Sequence, residues 1–146
     1  MKTKSEILIV DDNPADIDLL REALAHCPRP SQVSSAADGV EAVILLNEGR
    51  PADRVPDLIV LDLNLPRKDG RAVLAEVKSH PLLHRTPVVV FSTSRAQRDI
   101  LGCYELGANS YVSKPGDLEG FLAAVTSIER FWFDCARLPR QEEPQP

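Results

Sequence analysis

Three apolar runs dominate this chain: residues 7–10 (Ile-Leu-Ile-Val), 58–61 (Leu-Ile-Val-Leu) and 88–91 (Val-Val-Val-Phe). None alternates with polar residues, so each reads as a strand covered on both faces, as in a parallel sheet between helices. Each also stops abruptly. Asp11-Asp12-Asn13-Pro14 ends the first, Asp62 the second, and Ser92-Thr93-Ser94 the third. Residues 32–36 and 110–113 are weaker strand candidates, the latter carrying Tyr111 and Val112.

Helical spacing fills the gaps. Ile17, Leu20, Ala23 and Leu24 make one apolar stripe, with Asn13 or Asp12 as N-cap and Pro14 in the first turn. Ala42, Val43, Leu45 and Leu46 make a second, ended by Asn47 and Gly49, and Val73, Leu74 and Val77 a third, ended before Pro81. Ile100, Leu101, Tyr104 and Leu106 make a fourth, with Gly107 placed to end the helix. Leu118, Phe121, Leu122, Val125, Ile128 and Trp132 make the fifth and longest. Strand and helix alternate five times, which predicts an α/β fold: a doubly wound, five-stranded parallel sheet. The polar, proline-containing stretch 48–56 reads as a surface loop, and 139–146 as a disordered polar tail after a single domain over 1–138.

Composition narrows the function. A chain of 146 residues accommodates one domain of ordinary size. Its net charge of −5 disfavours non-specific nucleic-acid binding, which depends on cations that replace phosphate counterions. Cys27, Cys103 and Cys135 are scattered and odd in number, neither a disulfide framework nor a zinc site. That pattern suggests a reducing, cytoplasmic setting. No signal peptide is visible, and no apolar stretch is long enough to span a membrane.

Ligands of open α/β sheets bind beyond the carboxyl ends of the strands. Those ends offer Asp11 and Asp12, then Asp62 and Asn64, then Ser92 and Thr93, then Lys114-Pro115. Each has an ordinary use alone: Asp and Ser cap helices, and a lysine is commonly a solvated charge. Together they place three carboxylates, a hydroxyl and an ammonium on one rim. Clustered carboxylates suit a hard cation such as Mg²⁺, which also favours a phosphate oxygen. An aspartate can attack phosphorus, and in-line transfer needs its charge neutralised.

The strings ILIVDDN (7–13), DLIVLDLNLPRKDG (57–70), PVVVFSTS (87–94) and GANSYVSKP (107–115) resemble the receiver domain of two-component response regulators. The resemblance spans about residues 5–130 and implies a flavodoxin-like (βα)5 fold. It implies that Asp62 is the phosphoacceptor. Asp12, Asp62 and the backbone carbonyl of Asn64 would hold Mg²⁺ or Mn²⁺, with Asp11 in the outer sphere. Lys114 would pair with the phosphoryl group, and Pro115 often follows through a cis peptide bond. Ser92 and Tyr111 would be the switch pair, altering the surface of the fourth helix, fifth strand and fifth helix. The implied partner is a sensor histidine kinase. The 48–56 loop and the Phe-Trp-Phe segment at 131–133 resemble single-domain regulators that partner phytochrome-type kinases, with no effector domain expected.

Phe131, Trp132 and Phe133 span about 200° of a helix, wider than the roughly 100° stripe a monomer core covers. Trp132 continues the stripe of Val125 and Ile128, so Phe131 or Phe133 should face outward. With Cys135 they suggest a homodimer through the fifth helix and its extension, or docking to the kinase. Other functions fit less well. An aspartyl phosphatase would carry a second acid where Asn64 stands, and a flavin or nucleotide site needs a phosphate cradle where Asp-Asp-Asn-Pro stands. A phosphate shuttle or sink, or a degenerate receiver acting by constitutive contact, uses the same fold. A receiver would catalyse its own phosphorylation and dephosphorylation and is not expected to be an enzyme acting on a metabolite.

Overall fold

The computed structural model describes residues 4–48 and 55–139. Most of the 48–56 loop and all but the first residue of the 139–146 tail lie outside the described residues. The strands are β1 (Ser5–Val10), β2 (Ser31–Ala36), β3 (Leu58–Leu61), β4 (Val88–Ser92) and β5 (Ser110–Ser113). The helices are α1 (Pro14–Ala25), α2 (Gly39–Asn47), α3 (Gly70–Ser79), α4 (Gln97–Glu105) and α5 (Leu118–Arg130). A short 3₁₀ turn, Leu83–Arg85, precedes β4, and a π-helical turn, Phe131–Cys135, extends α5.

All strand pairs are parallel, in the order β2-β1-β3-β4-β5. The alternation of side chains along a strand divides the core into two layers. Ile7 and Ile9 of β1, Leu58 and Val60 of β3, and Val89 and Phe91 of β4 share one layer with Leu20 and Leu24 of α1 and Phe121 and Val125 of α5. Leu8, Val10, Ile59, Leu61, Val88 and Val90 share the other with Leu46, Val73, Leu74, Val77 and Cys103. Both faces of the central strands are thus buried, which is why their sequences show no polar alternation. The edge strand β2 does show it, with Val33 only half covered.

Aspartate and asparagine start most of the helices. Asn13 Oδ1 accepts from the Ala15 and Asp16 amides at 3.0 and 3.3 Å. Asp38, Asp69 and Asp117 cap α2, α3 and α5 in the same way. Helix α4 begins at Ala96 with no side-chain cap. It also differs from expectation in its buried face. Leu101, Tyr104 and Leu106 are exposed, and Cys103 is its one buried residue. Asp99 and Cys103 are four residues apart and so share a face. Asp99 is drawn inward by Arg71 of α3 and by Ser94, at 2.6 Å each. Of the predicted stripe, Ile100 is half-buried and the rest faces solvent.

The aromatic end is partly as the spacing predicts. Phe131 is exposed, its ring edge-on to Trp132 at 5.0 Å between centroids. Trp132 and Phe133 pack against the α1/α5 layer. Trp132 thus continues the stripe of Val125 and Ile128, as the spacing predicts, and Phe133 packs beside it within the π turn. Arg29, between α1 and β2, fastens this end through Glu129 at 2.5 Å and Asp134 at 3.7 Å.

Candidate functional site

The strand order reverses between β1 and β3, since β2 lies on one side of β1 and β3 on the other. That is where such sheets open a crevice at their carboxyl ends. Val10 pairs with Leu61, so Asp11 and Asp62 emerge side by side. The Asp62 amide donates to the Val10 carbonyl at 2.8 Å, holding the two strand ends together. Ser92 pairs with Ser113, and the next amide, that of Lys114, donates to the Ser92 carbonyl at 2.8 Å. Register alone therefore delivers Asp11, Asp62, Ser92 and Lys114 to one rim.

Lys114 organises it. Its buried ammonium donates to Asp11 Oδ2 at 2.7 Å, Asp16 Oδ2 at 2.8 Å and Asp62 Oδ2 at 3.0 Å. An ammonium has three protons, so all are engaged. It also lies 5.9 Å from the centre of the Phe91 ring. Burial works against the Lys114 charge. The bonds to Asp11 and Asp16 and the charges of Asp11 and Asp62 outweigh it and hold the group protonated above the ordinary lysine range. Burial pushes the Asp11 carboxyl up from its ordinary value, against the pull of Lys114 and of the Asn13 amide 2.9 Å from Oδ1.

Asp62 is held by its two oxygens differently. Oδ1 accepts from the Leu63 amide at 2.7 Å and, more weakly, from the Asn64 amide at 3.4 Å. Oδ2 faces Lys114. Helix α3 begins hard against this loop: the Gly70 amide donates to Leu63 at 2.9 Å, and a Cβ on Gly70 would meet the Asp62 carbonyl oxygen at 2.3 Å. Glycine is needed there for closeness rather than for dihedral freedom.

One carboxylate oxygen each of Asp11, Asp12 and Asp62 lies within 4.8 Å of the others. Asp11 and Asp62 are buried while Asp12 is exposed, which leaves an open side. Among the described residues, Asp11, Asp16 and Asp62 share the Lys114 ammonium, and Asp12 stands beside Asp11 and Asp62. The excess of negative charge and the all-oxygen donor set fit a hard divalent cation.

The other predicted residues fall as follows. Ser92 is fully buried, and its Oγ accepts from the Ser94 amide at 3.4 Å. Tyr111 lies half-buried against the α2/α3 layer, its hydroxyl donating to the Ser94 carbonyl at 2.7 Å. Asn64 is exposed beside Asp62. The Lys114–Pro115 peptide is trans, as are all described peptide bonds, where the resemblance implied a frequent cis form. Phe131, Trp132, Phe133 and Cys135 do not join the rim. They lie beyond the far end of α5, whose length of 13 residues is about 20 Å. Asp16 is the site residue that sequence reasoning missed. In the first turn of a helix it reads as a dipole-matching acid, but the α1 N-terminus overhangs the rim and directs it to Lys114.

Comparison with known proteins agrees with this geometry. The model for the response regulator receiver domain matches residues 7–126. The response regulator Rcp1 of Synechocystis sp. is 41% identical over 135 residues, covering 91% of this chain and 92% of that protein. Among solved structures, the phosphorylated cyanobacterial phytochrome response regulator RcpA superposes with a TM-score of 0.89 at 46% identity, over 94% of this chain and all of that one (100%). The Mn²⁺-bound form of Rcp1 superposes with a TM-score of 0.87 at 40% identity, over 93% and 99% of the two chains. With a family match across most of its length, the five-stranded parallel sheet and the acidic rim at its switch point, this chain belongs to the response regulator receiver domain family.

Proposed function

We propose that this chain accepts a phosphoryl group on Asp62 from a sensor histidine kinase and converts it into an altered protein-binding surface. The observation that carries the reading is the division of labour at Asp62. Backbone amides fix Oδ1, while Oδ2 keeps lone pairs open beside Lys114. In the transfer, an Asp62 carboxylate oxygen attacks phosphorus and the bond to the kinase histidine nitrogen breaks. Lys114 releases one carboxylate and donates to a phosphoryl oxygen. The Ser92 hydroxyl keeps its own proton available for a second oxygen, since its Oγ only accepts from Ser94.

Asp12, Asp62 and the Asn64 carbonyl would hold Mg²⁺ or Mn²⁺, with Asp11 acting through water. The cation offsets the carboxylate charge that would otherwise repel the incoming phosphoryl group. The acidic cluster supports this, as does the metal-bound form of the relative Rcp1. Tyr111 would be the switch aromatic, and the output surface α4, β5 and α5, where Leu101, Tyr104 and Leu118 are exposed.

The similarity to Rcp1 and RcpA supports a phytochrome-type kinase as the donor. We assign no metabolite substrate. Free Cys27, Cys103 and Cys135 fit a reducing cytoplasm, and among the described residues no helix is long and apolar enough to cross a membrane. Homodimerisation through α5 and its extension would cover Phe131, with Trp132, Phe133 and Cys135 at the same end. The test is phosphotransfer from such a kinase. Wild type should gain one label, and Asp62→Asn should gain none; label transfer to Asp62→Asn at the normal rate would refute the assignment.

A further inference from the structure

Ser94, two residues beyond Ser92, makes four hydrogen bonds, one of them accepted by its Oγ from the Ala96 amide at the start of α4 at 3.3 Å. Its amide donates to Ser92 Oγ at 3.4 Å, its carbonyl accepts from the Tyr111 hydroxyl at 2.7 Å, and its own hydroxyl donates to Asp99 Oδ2 at 2.6 Å. The other Asp99 oxygen accepts from Arg71 at 2.6 Å. Arg71 follows Gly70, the residue pressed against the Asp62 carbonyl. A continuous run of contacts thus leads from the Asp62 backbone through α3 and α4 to Tyr111, beside the shorter route through Ser92.

We propose that Arg71 and Asp99 are positioning residues that hold the β4–α4 loop with Ser92 toward Asp62 and Tyr111 inward. They would couple Asp62 to the α4–β5 surface by a second route. The inference rests on the reading of Asp62 as phosphoacceptor and Tyr111 as switch residue.

An ordinary surface ion pair contributes little. Two features separate this one. First, both Asp99 oxygens are committed, and the Ser94 hydroxyl and Arg71 together hold its carboxyl below the usual range. Second, α4 has few other anchors. It has no side-chain N-cap and buries only Cys103. An element so lightly packed is drawn from the low-stability end of a structure and is suited to two arrangements. A bond network that selects one of them controls how many molecules are ready to react.

The chain has only two tyrosines, so ring-labelled NMR resolves Tyr111 once Tyr104→Phe assigns the other. Spectra would be recorded before and after beryllofluoride with Mg²⁺, which mimics a phosphoryl group. Arg71→Met, Asp99→Ala and Ser94→Ala should each move the Tyr111 signal toward that of an exposed tyrosine. Each should also slow Asp62 phosphorylation by acetyl phosphate about fivefold. Arg71→Met combined with Asp99→Ala should do no more than either alone, and Arg71→Lys should recover part of the effect. Circular dichroism would confirm that each variant is folded. An unmoved Tyr111 signal in these variants, or additive effects on rate, would overturn the proposal while leaving the receiver reading intact. Absence of any wild-type adduct on Asp62 would overturn both.

Discussion

At the scale of the residue, one buried ammonium offsets part of the charge of an acidic site. Lys114 is bonded to Asp11, Asp16 and Asp62, and its side chain is 4% exposed. Removing one partner of a buried ion cluster leaves the rest uncompensated, at about 3–5 kcal/mol. Lys114→Met should therefore lose about 3 kcal/mol in urea unfolding with chelator present, and recover much of it in Mg²⁺. An unchanged midpoint would contradict the balance drawn here. A second prediction concerns pH. The Ser94 hydroxyl and Arg71 depress the Asp99 carboxyl. A group lowered in the folded state contributes stability above its unfolded pKa, about 3.9, and loses that contribution as pH falls through the folded value. The stability gap between wild type and Asp99→Asn should be full above about pH 4 and close below it. A gap independent of pH from 3 to 6 would contradict it.

How legible a site residue was depended on what positions it. Asp11, Asp62 and Ser92 follow directly from the ends of apolar runs, and Lys114 from the end of the weaker strand 110–113, which pairs in register with β4. Asp16 and Asp99 are placed by where a helix sits on the sheet. That is a tertiary fact, and nothing in local spacing marks it.

At the scale of the element, α3 and α4 show what pattern reading can and cannot do. The stripe of α3, Val73, Leu74 and Val77, is the face that packs. Its start is fixed by a steric contact at Gly70, where Cβ would overlap the Asp62 carbonyl. Gly70→Ala should destabilise the fold by about 2 kcal/mol or more, the range of core overpacking, and slow phosphorylation by shifting the Asp62 loop. Chemical denaturation and acetyl phosphate kinetics would measure both, and a wild-type profile would show that the loop can yield. For α4, periodicity identified the helix but not its orientation. Asp99 and Cys103 lie on the packed face of α4, and Leu101 and Tyr104 are left to solvent. The π turn after α5 escaped the sequence because 3.6-residue spacing cannot foresee a local widening, although it did place Trp132 on the packed stripe.

At the scale of the whole molecule, the acidic cluster and the aromatic turn occupy opposite ends. The acidic rim lies at the carboxyl ends of the strands, and the aromatic turn lies a helix length away, fastened by Arg29 to Glu129 and Asp134. If the far end mediates a dimer, Phe131→Ala with Phe133→Ala should reduce the sedimentation mass to that of one chain while leaving phosphorylation intact. An unchanged mass would remove that surface from consideration. The doubly wound parallel sheet was legible because apolar runs without polar alternation are separated by helical stripes.

The central claim is that Asp62 takes a phosphoryl group with a divalent cation's help, and intact mass addresses it most directly. The protein would be incubated with acetyl phosphate and Mg²⁺, with and without chelator, alongside Asp62→Asn. The account predicts one phosphoryl adduct on wild type, lost with chelator and absent from Asp62→Asn. A folded wild type with no adduct, or an adduct that persists in Asp62→Asn, would contradict it.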